Sequence, residues 1–153
     1  MPSEFLQRQK NDFFRDITSI GSLWFYAIFM IFFLILKNYS SFKVLLSGFI
    51  IMYLAVIIIR SIYFKNRPIK YNYNNAIEKL DASSFPSLHA ARTAFLAGFF
   101  IEYFSNILTS ALLVVLALAV LYSRIYLKKH DWKDVSAGVV LGIAAYFAVN
   151  YIL

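Results

Sequence analysis

The chain has 153 residues, 61% hydrophobic, 19% aromatic and only 15% charged, against roughly a quarter charged in an average soluble domain. This excludes an ordinary soluble domain, and the absence of cysteine excludes disulfides, thiolate metal sites and a cysteine nucleophile. The net charge of +7 does not imply nucleic acid, because the lysines and arginines lie in short segments beside apolar runs, so a lipid bilayer with anionic lipid or phosphate is the implied partner.

Residues 1–19 mix Glu4, Arg8, Lys10, Asp12, Arg15 and Asp16 with Phe5, Leu6, Phe13, Phe14 and Ile17. The apolar run behind them is too long for a signal peptide, so this segment is expected to lie on the membrane surface as an interfacial helix. A hydrocarbon core of about 30 Å takes roughly 20 helical residues, which makes 17–36, 44–59, 103–123 and 135–153 candidate spans, the second slightly short. A first helix over 20–36, built of large aliphatic and aromatic residues, is expected to face lipid. After a turn at 37–43, a second helix runs to about residue 64, and Pro68 forces its predecessor out of helical geometry.

The connection over 65–84 is polar and rich in tyrosine, with Tyr71 and Tyr73 suited to the aromatic belt of the interface, and it is long for so small a protein. Ser84 as N-cap and Pro86 in the first turn then open a third helix over 85–104. Its small residues Ala90, Ala91, Ala94, Ala97 and Gly98 place it inside the bundle. Ser105-Asn106 turns into a fourth helix ending at Ser123-Arg124. A fifth follows Asp134, with Gly138 and Gly142 at the spacing of close helix packing. The expectation is an all-α, polytopic membrane helix bundle of about five transmembrane helices plus the N-terminal interfacial helix, one domain over 1–153 without internal repeats.

Threading five helices back and forth brings the end of the second, the start of the third, the end of the fourth and the start of the fifth to one membrane edge. Arg60, Arg67, Ser87, Leu88, His89, Arg124, His130 and Asp134 gather there. Three guanidinium groups can neutralise a phosphate and donate forked hydrogen bonds to it. The helix start at Ser87, Leu88 and His89 adds backbone donors and a positive dipole end. His130 and Asp134 are four residues apart, within one helical turn, so the carboxylate can fix the tautomer of a nucleophilic imidazole. His89 can then protonate a departing oxygen and later activate water.

These residues resemble the type 2 phosphatidic acid phosphatase (PAP2) superfamily, whose signatures are K-x6-R-P, P-S-G-H and S-R-x5-H-x3-D. The chain reads Arg60-x6-Arg67-Pro68, Pro86-Ser87-Leu88-His89 and Ser123-Arg124-x5-His130-x3-Asp134, all between residues 60 and 134. The resemblance implies His130 as nucleophile, Asp134 as its partner, His89 as general acid, and Arg60, Arg67, Ser87, Leu88 and Arg124 around the phosphate, with no metal and no cofactor. Arginine stands for the first-signature lysine, which keeps charge but changes reach. Leu88 stands for the second-signature glycine and keeps its N–H without glycine's conformational freedom. Family members commonly have six spans, one more than the five expected of this chain.

Each residue also has a plainer role open to it. Cations at span ends snorkel to headgroups, and Ser87 and Asp134 can cap their helices. His89, His130 and Asp134 can be read as a zinc set, which three arginines around a dication oppose. Arg92 is an intramembrane charge that can pair with Glu78 or Asp81. Thirteen of the fifteen lysines and arginines fall on the site side, so the positive-inside rule favours the cytoplasmic face of a multi-pass cell-membrane protein. The resemblance implies a metal-independent membrane phosphatase acting on a lipid phosphate or polyprenyl diphosphate through a phosphohistidine. The alternatives are a lipid phosphotransferase, or a non-catalytic binder or transporter of anionic lipid.

Overall fold

The structure, a computed structural model, describes residues 4–69 and 72–153; Tyr71 lies outside them. In chain order come α1 (Glu4–Thr18), a single 3-10 turn (Ser19–Gly21), α2 (Leu23–Ile35), α3 (Tyr39–Ile62), α4 (Ala76–Ala82), α5 (Leu88–Phe104), α6 (Ile107–Tyr126) and α7 (Trp132–Ile152). The described residues contain no strand.

Short polar side chains set the helix starts. Ser22, Asn38, Asn75, Ser87, Asn106 and Asp131 each accept a hydrogen bond from an amide of the turn they open, satisfying donors that have no intrahelical acceptor. Two of these caps move expected boundaries. Ser22 interrupts the first apolar run, so α2 is only 13 residues long and α1 meets it at a bend of 43°. Ser87, rather than Ser84, caps α5, and Pro86 precedes the helix instead of entering its first turn. Asn75, whose side chain accepts from the Glu78 amide at 2.8 Å, starts the short α4 inside the expected loop.

Three helices, α3, α6 and α7, are long and apolar enough to cross a membrane, and a fourth span results if α1 and α2 count as one bent crossing. At 17 residues, α5 reaches about 25 Å. The expected count of five is therefore not reached on length and composition among the described residues. Outward-facing Leu46, Ile50, Leu54 and Ile58 on α3, Leu112, Val115 and Leu118 on α6, and Val140 and Phe147 on α7 form the apolar exterior of a membrane protein.

The centre is α5, which packs against α7, α6 and α3. Its Phe95, Phe99 and Phe100 interlock with Tyr26 and Phe33 of α2, Leu45 and Met52 of α3, and Ala145 and Val149 of α7. Since Tyr26 and Phe33 are buried, α2 does not simply face lipid. The small residues decide how closely the backbones approach. A Cβ at Gly138 would lie 2.3 Å from the Ser87 carbonyl oxygen, and one at Gly142 would lie 2.2 Å from that of Ala91. Bare glycine backbone on α7 thus lies against the first turns of α5, as their spacing predicts.

Candidate active site

Hydrogen bonds at one end of the bundle tie together the end of α3, the start of α5, the end of α6 and the start of α7. The Ser87 amide donates to the Asp134 carbonyl at 3.0 Å, and the His130 amide donates to that of Arg124 at 3.2 Å. Arg60 donates from Nη1 to the Leu80 carbonyl at 2.9 Å and from Nη2 to that of Pro86 at 3.1 Å. Arg67 Nη2 donates to the Asp81 carbonyl at 2.5 Å. The Nε atoms of Arg60, Arg67 and Arg124 are buried and have no hydrogen-bond acceptor, although all three side chains are otherwise engaged.

His130 lies between α6 and α7 and is 4% exposed. Its Nδ1 stands 2.9 Å from the Ser84 carbonyl oxygen. A carbonyl only accepts, so Nδ1 carries the proton and the lone pair is on Nε2. Burial, then Arg124 and Arg67, and further Arg60, lower its pKa from 6.5 to about 3, with the Ser84 hydrogen bond acting the other way. The ring is accordingly neutral, with Nε2 able to act as a nucleophile.

Asp134 is fully buried, but the expected hydrogen bond to His130 is not made, as its Oδ2 is 3.7 Å from Nδ1. That oxygen accepts the Asp131 amide at 3.1 Å, closing a capping box at the start of α7. Oδ1 meets Lys65 Nζ at 2.7 Å, and Lys65 also reaches Asp131 Oδ2 at 2.6 Å. The tautomer is therefore set by Ser84, while Asp134 contributes a nearby negative charge. Sequence reasoning missed Lys65, whose only signal is its place two residues before Arg67.

His89 Nε2 lies 2.5 Å from the Thr18 carbonyl oxygen, which requires an Nε2 proton. Its Nδ1 faces Arg92 Nη2 at 3.5 Å. The Thr18 hydroxyl accepts from Arg124 Nη1 at 3.0 Å. Thr18 thus touches both residues, a contact for which the sequence carries no signal. The His89 ring lies so near Gly21 that a Cβ there would come within 2.5 Å of it. Arg92 does not pair with Glu78 or Asp81. It donates to the Gly21 carbonyl at 3.1 Å and to the Tyr53 hydroxyl at 2.8 Å, while Glu78 is taken up by Asn74 and Asn75.

At the start of α5 the Ser87 amide is not a free anion donor, because it holds Asp134. The amides of Leu88 and His89 remain first-turn donors beyond the reach of intrahelical carbonyls. Among the described residues, no three His, Asp or Glu side chains are grouped to hold a metal ion. The arrangement offers a neutral imidazole, a second imidazole, a cluster of guanidinium groups and a helix start.

Residues 61–153 match the PAP2 superfamily, a stretch holding every residue of the constellation except Arg60. The chain belongs to the PAP2 superfamily. Its fold is also similar to the crystal structure of Aquifex aeolicus LpxE, with a TM-score of 0.75 at 22% identity over 94% of this chain and 86% of that one. The likeness in fold therefore extends into the N-terminal helices that precede the PAP2 match. Membership of the PAP2 superfamily supports a lipid phosphatase.

Proposed function

We propose that this PAP2 protein is a metal-independent integral-membrane phosphatase that hydrolyses a phosphomonoester or diphosphate on a lipid through a phosphohistidine at His130. The observation that carries it is the gathering, at one end of the bundle, of Arg124, His130 and Asp134 with Ser87 and His89 and with Arg60 and Arg67. Nε2 of His130 attacks phosphorus in line with the leaving oxygen, so that an N–P bond forms as the P–O bond breaks. Arg60, Arg67 and Arg124 and the Leu88 and His89 amides hold the non-bridging oxygens, which suits a reaction whose catalysis is mainly positioning and charge stabilisation. His89, protonated beside the bound dianion, gives its proton to the departing oxygen, which takes the place of the Thr18 carbonyl at Nε2. It then removes a proton from the water that splits the phosphohistidine and releases phosphate.

Phosphate release measured with chelator present tests this reading. Wild type should be unaffected by the chelator, and His130→Ala should be at least ~100-fold slower; equal rates would refute it. Acid-labile phosphoprotein should be trapped by rapid quenching in wild type and be absent from the variant.

We propose that the site end faces the cytoplasm, because among the described residues only two basic side chains, Lys37 and Lys43, lie at the other end. The chain has no native cysteine, so Lys128→Cys gives a single thiol. A membrane-impermeant maleimide should label it in inverted vesicles and not in intact cells; the reverse pattern would place the site outside.

A further inference from the structure

Arg92 is buried on α5, 7% exposed and three residues beyond His89, and the proposed chemistry gives it no part. Its Nε donates to the Gly21 carbonyl at 3.1 Å and its Nη1 to the Tyr53 hydroxyl at 2.8 Å. The guanidinium is thus held from the 3-10 turn on one side and from α3 on another. That hold leaves Nη2 facing His89 Nδ1 at 3.5 Å. Among the described residues no carboxylate pairs with Arg92, although a buried cation without one is costly to the fold. What its third nitrogen meets instead is the imidazole ring.

We infer that Arg92 is a positioning residue for His89, keeping Nδ1 bare and the ring proton on Nε2, the nitrogen that faces the leaving oxygen, until a phosphate dianion is bound. This rests on the proposed phosphatase reading and deepens it. A guanidinium only donates hydrogen bonds, so the ring nitrogen facing it must offer a lone pair. The Thr18 carbonyl enforces the same tautomer from the other side of the ring. In the proposed reaction the substrate takes the place of that carbonyl, and Arg92, which has no contact with Thr18 to lose, goes on holding the ring. Its charge acts in the same sense, since a cation beside Nδ1 disfavours the imidazolium. Of the other groups nearby, Arg124 of α6 and then His130 also oppose a positive ring. Tyr53 of α3 and Tyr26 of α2 stand beside Arg92 as phenols, Asp134 of α7 lies against His130 instead, and the 3-10 turn presents the Gly21 carbonyl. A bound phosphate offsets Arg124 directly and leaves Arg92 behind the ring. His89 then takes up a second proton only beside the dianion, and as an acid strong enough to release it to the departing oxygen.

The test is the pH dependence of phosphate release by the full-length protein, in detergent micelles, from dioleoyl phosphatidate and from farnesyl diphosphate. The alkaline limb of the kcat profile reports the acid of the substrate complex. Arg92→Met removes the charge without stranding a carboxylate. It should move that limb up by about one pH unit or more and leave KM roughly unchanged, because Arg92 does not touch the phosphate. A limb that stays in place or moves down, whatever the loss of rate, would overturn the inference. Arg92 would then be only a tie between α5, α3 and the 3-10 turn, while turnover by wild type leaves the phosphatase reading standing. If Arg92→Met fails to fold, Arg92→Gln, which drops the charge and keeps an amide to donate, decides by the same limb. Release from neither substrate by wild type would sink the phosphatase reading itself, and this inference with it.

Discussion

The Asp134 carboxylate is shared between Lys65 and the Asp131 amide, so its position depends on a lysine more than on the histidine beside it. Burial alone would lower the Lys65 pKa, but its hydrogen bonds to Asp131 and Asp134 and their charges hold it above 10.5. For Asp131, burial raises the pKa, and hydrogen bonds from Lys65 and nearby amides outweigh it, holding the group below 3.8. The raised lysine contributes stability fully below pH 10.5 and loses it as pH rises through the folded value. The depressed aspartate contributes above pH 3.8 and loses it as pH falls through its folded value. The bridge therefore contributes evenly from about pH 4 to 10. Lys65→Met strands a buried carboxylate and should cost about 3 kcal/mol, seen as a lower melting temperature in detergent at pH 7; melting unchanged from wild type would contradict the bridge. His130, held at about 3, should show no ring titration by NMR between pH 5 and 8 in the ligand-free protein, whereas a midpoint near 6.5 would place the ring in water.

Among elements, the contact of α5 with α7 sets the distance between the two histidines. Gly138→Val forces a side chain against the Ser87 carbonyl, which belongs to backbone that cannot swing aside, so the start of α5 must shift relative to His130. Phosphate release should fall more than tenfold. Gly98→Ala, whose new Cβ would meet only the Tyr146 ring at 3.3 Å, should stay near wild type; equal activity of the two variants would show that this packing does not position the site. The glycine pair was legible because small residues four apart leave a mark in the sequence. So were the apolar runs of α3, α6 and α7, and the local spacing from Arg124 to Asp134. Ser22 is not legible as a break, because one serine in a long apolar run reads as an interruption too small to stop a helix, and the polarity of the loop around α4 hides its single capped turn. The Ser84 carbonyl that orients His130 left no trace, since a backbone acceptor has no residue type.

At the scale of the whole molecule, the family-matched residues 61–153 carry most of the site but only part of the core. Tyr26, Leu45 and Met52 are fully buried and Phe33 is 1% exposed, and all four precede the match. Without them Phe95 and Phe99 of α5 lose their partners, at a cost of several kcal/mol for large buried side chains. A fragment of residues 61–153 should aggregate in mild detergent and release no phosphate; a monodisperse, active fragment would show that the first sixty residues are dispensable. The same division explains why the N-terminal contribution to the site is hidden in the sequence, since Thr18 lies 71 residues from His89 and 106 from Arg124 and meets them only through the packing of α1 on α6 and of the 3-10 turn on α5.

That threonine has a last consequence. A peptide oxygen and a hydroxyl from one residue sit against His89 and Arg124, the two groups to which the proposed mechanism assigns an ester oxygen and a phosphoryl oxygen. On that mechanism, substrate binding is an exchange of oxygens, in which the lipid phosphate replaces both contacts of Thr18.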